Sequence, residues 1–210
     1  MFNNISKERF LKEMFRKILH LSSILFPILY HFTNKESMLI LILLLISGIF
    51  FFEWSRFSKG KIHHITQDVL NFLKIDINKI IRPHEITTLT GASYMVIAMF
   101  ITLLFFPKFV FIIAFSILAI SDSLAALVGL KFGKVQLLNK TLEGCLAFFL
   151  SAIIISYAVI SIYKINHISL FAILLTCFIT TCIELFAKKI EVDDNLLIPL
   201  IFCISASIFY

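Results

Sequence analysis

The chain has 210 residues, 60% hydrophobic and 15% charged, with a mean hydropathy of +0.97 and a net charge of +6. That balance excludes an ordinary soluble domain, whose charged share is about a quarter, and predicts an all-α, polytopic integral membrane helical bundle. The basic surplus suits anionic lipid headgroups and nucleotides and calls for no nucleic acid.

A span needs about 20 apolar residues, and the apolar runs fall at about 15–33, 37–54, 87–107, 109–131, 143–163, 168–187 and 195–210. Seven transmembrane helices in one domain, 1–210, is the reading; six is the alternative, because the last run is short and the third begins polar. No small-residue cleavage site follows the first run, so it reads as a retained span and not a signal peptide. The longest break, 55–86, mixes Ile62, Ile65, Val69, Leu70, Phe72 and Leu73 with His63, His64, Asp68 and Lys74. That pattern fits a helix lying in the interface or one packed on the bundle. His63–His64 reads as solvent-facing polarity. The four cysteines, Cys145, Cys177, Cys182 and Cys203, lie in apolar runs without Cys-x-x-Cys spacing, so neither a disulfide framework nor a zinc site is expected.

With the N-terminus placed in the cytoplasm, the inside segments hold all of the 19 basic residues except Lys35, Lys108 and Lys164. The same leaflet collects most of the polar groups that interrupt the apolar runs. Glu13, Arg16, Lys17 and His20 share one helix face; Glu53 and Arg56 end the second run; Arg82, His84 and Glu85 precede Thr90-Gly91-Ala92-Ser93-Tyr94. Glu184 lies near the end of the sixth run, and Asp193-Asp194-Asn195 opens the seventh. So many acids among cations at one face read as a site, since buried acids need partners or a metal.

Residues 119–145, AISDSLAALVGLKFGKVQLLNKTLEGC, organise the rest. Asp122, Ala125, Ala126 and Gly129 follow i, i+3, i+4, i+7 spacing and share one helix face. The small residues read as a close-packing strip. Asp122 stands about eight residues, or roughly 12 Å, from the polar end of its helix. An acid at that depth costs about 2.5–3.5 kcal/mol and is a functional candidate by default. Gly133-Lys134 then breaks the helix, and Asn139-Lys140-Thr141-Leu142-Glu143-Gly144 opens the next. Cations, free N–H groups at a helix start and an acid for a metal are what a phosphate requires.

Taken together, Glu13-x-x-Arg16-Lys17-x-x-His20, the Thr90–Tyr94 run, Ser121-Asp122-x-x-Ala125-Ala126-x-x-Gly129-x-x-x-Gly133-Lys134, Lys140-Thr141-x-Glu143-Gly144 and Asp193-Asp194-Asn195-Leu196-x-x-Pro199 resemble the CTP-dependent lipid kinases. That family comprises dolichol, phytol, yeast-type diacylglycerol and bacterial polyprenol kinases. The Asp122 and Lys-Thr-x-Glu-Gly pieces are also similar to the phosphatidate cytidylyltransferases. The chain lacks the Lys-Arg…Lys-Asp and Pro-Gly-His-Gly-type segments of that branch, which favours the kinases.

The resemblance implies transfer of the γ-phosphate of CTP to a membrane lipid alcohol, in a bacterial-type inner membrane or an ER-like one, at a cytoplasmic face. It implies Mg²⁺ held by Asp122 with Asp193 or Asp194. Arg16, Lys17, Gly133, Lys134, Lys140, Thr141 and Asn195 are expected around the nucleotide. Glu143 and His20 are candidates to orient or deprotonate the lipid hydroxyl.

Overall fold

The structure, a computed structural model, describes residues 17, 18, 20–58, 68, 85 and 87–210. The reading of 55–86 as an interfacial helix, and of Glu13, Arg16, Arg82 and His84 as part of the polar face, therefore lies largely outside the described residues. Among the described residues seven apolar helices follow one another, close to the runs expected from hydropathy. They are α1 (Ser22–Phe32), α2 (Lys35–Phe57), α3 (Gly91–Phe105), α4 (Lys108–Phe132), α5 (Leu142–Ile162), α6 (Leu170–Ile190) and α7 (Asp194–Phe209). Four are long and apolar enough to cross a membrane: α2, α4, α5 and the Leu170–Ala187 part of α6. The other three have 10–17 residues, below the roughly 20 that a span needs. The architecture is all-α and consistent with an integral membrane protein.

α4 is the hub. Its apolar window is 78% buried inside the bundle, against 17% for α2, so it is shielded from lipid by α1, α3, α5 and α7, which pack around it. Phe111 and Phe115 of α4 are fully buried, and Phe111 meets Tyr30 of α1 edge-on at a centroid distance of 5.0 Å. α2 lies at the rim against α3 and exposes Phe50, Phe51 and Trp54, as a lipid-facing helix does.

Two departures from regular helix have local causes. Pro27 has no N–H and crowds the carbonyl four residues back, and there α1 opens with the tight turn Ser22–Ile24. In α4 the five residues Ile117–Ser121 form a π turn, with the Asp122 N–H bonded to the carbonyl of Ile117. The extra residue per turn rotates Asp122 relative to the residues before it. Such turns inside α-helices concentrate at functional sites.

α4 and α5 are joined by a small hairpin absent from the sequence reading. Gln136–Leu137 (β1) pairs antiparallel with Lys140–Thr141 (β2) across the turn residues Leu138 and Asn139. Leu138 has φ 53°, a left-handed conformation that costs a non-glycine residue about 1–2 kcal/mol. At the far end of the bundle the lysines expected outside close off helix ends. Lys108 Nζ donates to the carbonyls of Thr33 (2.7 Å) and His31 (3.1 Å), and Lys35 Nζ donates to that of Leu104 (3.0 Å).

Candidate functional site

The helix end that follows Asp122 gathers three layers of polar structure. The first is the α4–α5 corner. Gly129 and Gly144 face each other: a Cβ on Gly129 would meet Thr141 Oγ1 at 2.8 Å, and one on Gly144 would meet the Ala125 carbonyl at 2.8 Å. The small-residue strip Ala125–Gly129 thus lets two backbones touch, which is the packing role of such strips. Gly133 ends the helix with an ordinary negative φ; a Cβ there would run into the Gly129 carbonyl oxygen and lie 2.6 Å from the Thr141 methyl Cγ2, so the position has no room for a side chain.

The hairpin is latched from α5. Thr141 is the N-cap and accepts from the Gly144 N–H at 3.2 Å. Glu143 accepts from the backbone N–H groups of Lys134 at 3.0 Å and Val135 at 3.3 Å. Its carboxylate therefore fills, with its own oxygens, N–H groups that an external anion would otherwise occupy. The Lys134 side chain is exposed.

The second layer is centred on Asp122, 5% exposed. Lys17 donates to its Oδ2, and His20 Nε2 stands 3.5 Å from the same oxygen. His20 Nε2 is also 2.9 Å from the carbonyl oxygen of Leu118. A carbonyl only accepts, so Nε2 carries a proton and donates. In a regular helix that carbonyl would accept from the Asp122 N–H; the π turn redirects this N–H to Ile117, and the histidine donates to Leu118. Removing one partner of a buried ion pair such as Lys17–Asp122 typically costs about 3–5 kcal/mol, so this contact ties Lys17 to α4. Arg16 lies outside the described residues.

The third layer comes from α2, α3, α6 and α7. Glu53, buried, accepts from the Thr90 N–H and Oγ1 (both 2.9 Å) and from Ser93 Oγ (2.6 Å), so it caps the start of α3. Arg56 holds the other Glu53 oxygen at 2.5 Å and reaches the carbonyls of Glu85 and Thr88. Gly91 donates to Glu85 Oε1 at 3.0 Å, and a Cβ on it would lie 2.7 Å from Asn195 Nδ2 and 3.8 Å from Asp193 Oδ2. The Thr90–Tyr94 run therefore brings α3 against the Asp-Asp-Asn run of α7.

Within that run the two acids differ in role. Asp193 is the N-cap of α7, and its Oδ1 accepts from the Asn195 N–H at 2.9 Å and from Asn195 Nδ2 at 2.7 Å. Asp194 is electrostatically coupled to Lys140 and Glu184.

Lys140 donates to Glu184 Oε1, and Glu184 is 1% exposed. Burial pulls the Lys140 ammonium toward neutrality, but the carboxylates of Glu184, Asp122 and Asp194 outweigh it and hold its pKa above the ordinary value. Glu184 is the residue that sequence reasoning left without a role. Its one signal was an acid near the end of an apolar helix, and its partner stands 44 residues away.

Donor chemistry sets what metal the site suits. Asp122 and Asp194 offer hard carboxylate oxygens. No group of three histidines, cysteines or acids able to hold a metal occurs among the described residues. Hard carboxylate oxygens suit Mg²⁺, which takes one or two carboxylates together with phosphate oxygens.

Comparison with known proteins supplies the relatives. The chain is 36% identical over 197 residues to uncharacterized protein RP860 of Rickettsia prowazekii, covering 92% of this chain and 93% of that protein. It is 33% identical over 199 residues to uncharacterized protein MJ1137 of Methanocaldococcus jannaschii, covering 91% of each. The chain belongs to the family of RP860 and MJ1137. Both matches cover about nine tenths of this chain and of the relative. A partial match, 32% identical over 87 residues, links it to the dolichol kinase of Saccharomyces cerevisiae; it covers 39% of this chain and 16% of the yeast enzyme. No family model and no solved structure matches the chain.

Proposed function

We propose that the protein is a CTP-dependent lipid kinase, moving the γ-phosphate of CTP to the hydroxyl of a polyprenol-, phytol- or diacylglycerol-type membrane alcohol. The observation that carries the reading is the buried Asp122, held by Lys17 and His20 and under the electrostatic influence of Lys140, in a bundle in which four helices are long enough to cross a membrane. The partial likeness to dolichol kinase supports the same reaction class.

Phosphoryl transfer asks a protein mainly for positioning and charge neutralisation. Lys17 and Lys140 both act electrostatically on Asp122, and in this reading they take up phosphate oxygens. Asp122 and Asp194 would hold Mg²⁺, which when bound would neutralise phosphate charge. Asn195, oriented by Asp193, borders the site through Gly91. His20 braces the π turn through Nε2, leaving Nδ1 as its one nitrogen free to act on a lipid hydroxyl. Glu143 holds the hairpin that carries Lys140. We place this end of the bundle on the cytoplasmic face, where a soluble nucleotide meets an alcohol entering from the bilayer.

Asp122→Asn tests the reading. An amide is a poor Mg²⁺ ligand and does not balance Lys17. The variant should still insert into the membrane but lose lipid phosphorylation. Near-normal turnover of the purified variant at limiting Mg²⁺ would contradict the role given to Asp122.

A further inference from the structure

We propose that Glu184 is a positioning residue that fixes the Lys140 ammonium against the Asp122 and Asp194 end of the site. The inference rests on the kinase reading for what Lys140 then does, but the clamp itself is legible in the geometry.

Lys140 is a long side chain on a two-residue strand, and left alone its ammonium would sample a wide arc. Its backbone end is fixed: Lys140 pairs with Leu137, and Glu143 and Thr141 latch the hairpin to α5. Its ammonium end is fixed by Glu184 from a different helix, α6. With both ends held, the cation has one place to be.

Glu184 is buried beyond what a helix-end anchor needs. It lies on the face of α6 that carries Thr176 and Thr180, four residues apart each, and all three are at most 1% exposed. Thr180 gives its hydroxyl proton to the Thr176 carbonyl at 2.8 Å. Among the described residues Lys140 is the partner of Glu184, and Glu184 Oε2 is buried without a hydrogen bond. A carboxylate held so sparsely in an apolar interior is costly, and breaking such a pair by removing one side is costlier than removing both. Lys140 has Asp122 and Asp194 as its other anionic neighbours. Of these three carboxylates Glu184 is the one in direct contact with the ammonium, so its Oε1 sets the direction of the Lys140 side chain.

The test combines chemical labelling with a double-mutant cycle. Purified protein in detergent is acetylated with a water-soluble N-hydroxysuccinimide ester, and Lys140 modification is read by mass spectrometry against the loop residue Lys164. Glu184→Gln should raise Lys140 labelling several-fold and leave the Lys164 reference unchanged; unchanged Lys140 labelling would overturn the clamp. If Glu184→Gln does not fold, Glu184→Asp, which keeps the charge and shortens the reach, serves the same measurement with the same two outcomes. In turnover with CTP and a lipid alcohol, Glu184→Gln should lower kcat/KM for nucleotide by about 10- to 100-fold, the usual loss when a supporting partner is removed. KM for the alcohol should not move. Adding Glu184→Gln to Lys140→Met should cost nothing more, because Glu184 acts through Lys140; multiplicative losses would overturn the proposal. A folded wild type that turns over no nucleotide would sink the kinase reading and leave the labelling result to decide the clamp.

Discussion

His20 and Leu118, 98 residues apart, are joined by one hydrogen bond of 2.9 Å from Nε2 to a carbonyl inside the π turn of α4. Asp122 follows immediately, so the bond helps to aim the acid at the centre of the site.

The first expectation concerns that bond. His20→Ala removes the side-chain donor to the Leu118 carbonyl and should destabilise the protein by about 0.5–1.5 kcal/mol. His20→Gln can donate from its amide and should recover much of that stability. Thermal unfolding in detergent measures both. Equal loss in the two variants would mean that the ring, and not its N–H, is what the turn needs.

Glu143 gives the second. Its oxygens are taken by the Lys134 and Val135 N–H groups, so Glu143→Gln, which keeps one acceptor, should lose far less than the roughly 10²–10⁴-fold expected on removing a general base. Glu143→Ala should loosen the hairpin and increase protease cleavage at 134–139. A loss of turnover in the glutamine variant as deep as in Asp122→Asn would return Glu143 to the proton-transfer step.

A third follows from the glycines. Gly133→Ala drives a methyl into the Gly129 carbonyl and the Thr141 side chain, and overpacking of this kind costs about 1–3 kcal/mol. Gly48, in the lipid-facing α2, has nothing within 4 Å of where a Cβ would stand. Gly48→Ala should be neutral or stabilising by up to about 1 kcal/mol through helix propensity. A Gly133→Ala variant as stable as Gly48→Ala would show that the end of α4 and Thr141 are not packed as closely as described.

Sidedness is the fourth. Val135, in the exposed stretch before the hairpin, replaced by cysteine in a background without the four native cysteines, should react with impermeant reagents from the cytoplasmic side. Labelling from the outer side would separate the site from cellular CTP.

How much of this was legible beforehand depends on the range of the interactions. The seven apolar helices are periodic, local features, and hydropathy placed them close to their ends; length alone divides them into four that can span and three shorter ones. The small strip Ala125–Gly129 and the caps at Thr141 and Asp193 are equally local. The Lys140–Glu184 pair is not, because its members carry no shared spacing, and an acid near a helix end reads as an anchor until the partner is seen. The π turn escaped because its cause is tertiary. The hairpin at 136–141 escaped because Gln-Leu-Leu-Asn-Lys-Thr carries no glycine where the turn takes Leu138 to positive φ. Nor does any spacing disclose that Gly91 is small to admit Asn195.

The central claim is the reaction. Purified protein, Mg²⁺ and a panel of polyprenol, phytol-like alcohol, diacylglycerol and phosphatidic acid are incubated in parallel with α-labelled and γ-labelled CTP, and the lipid phase is counted. The account predicts that γ-label enters the lipid phase with one of the alcohols while α-label stays in water as CDP. Entry of α-label with phosphatidic acid alone, with γ-label released as pyrophosphate, would make the protein a cytidylyltransferase and contradict it.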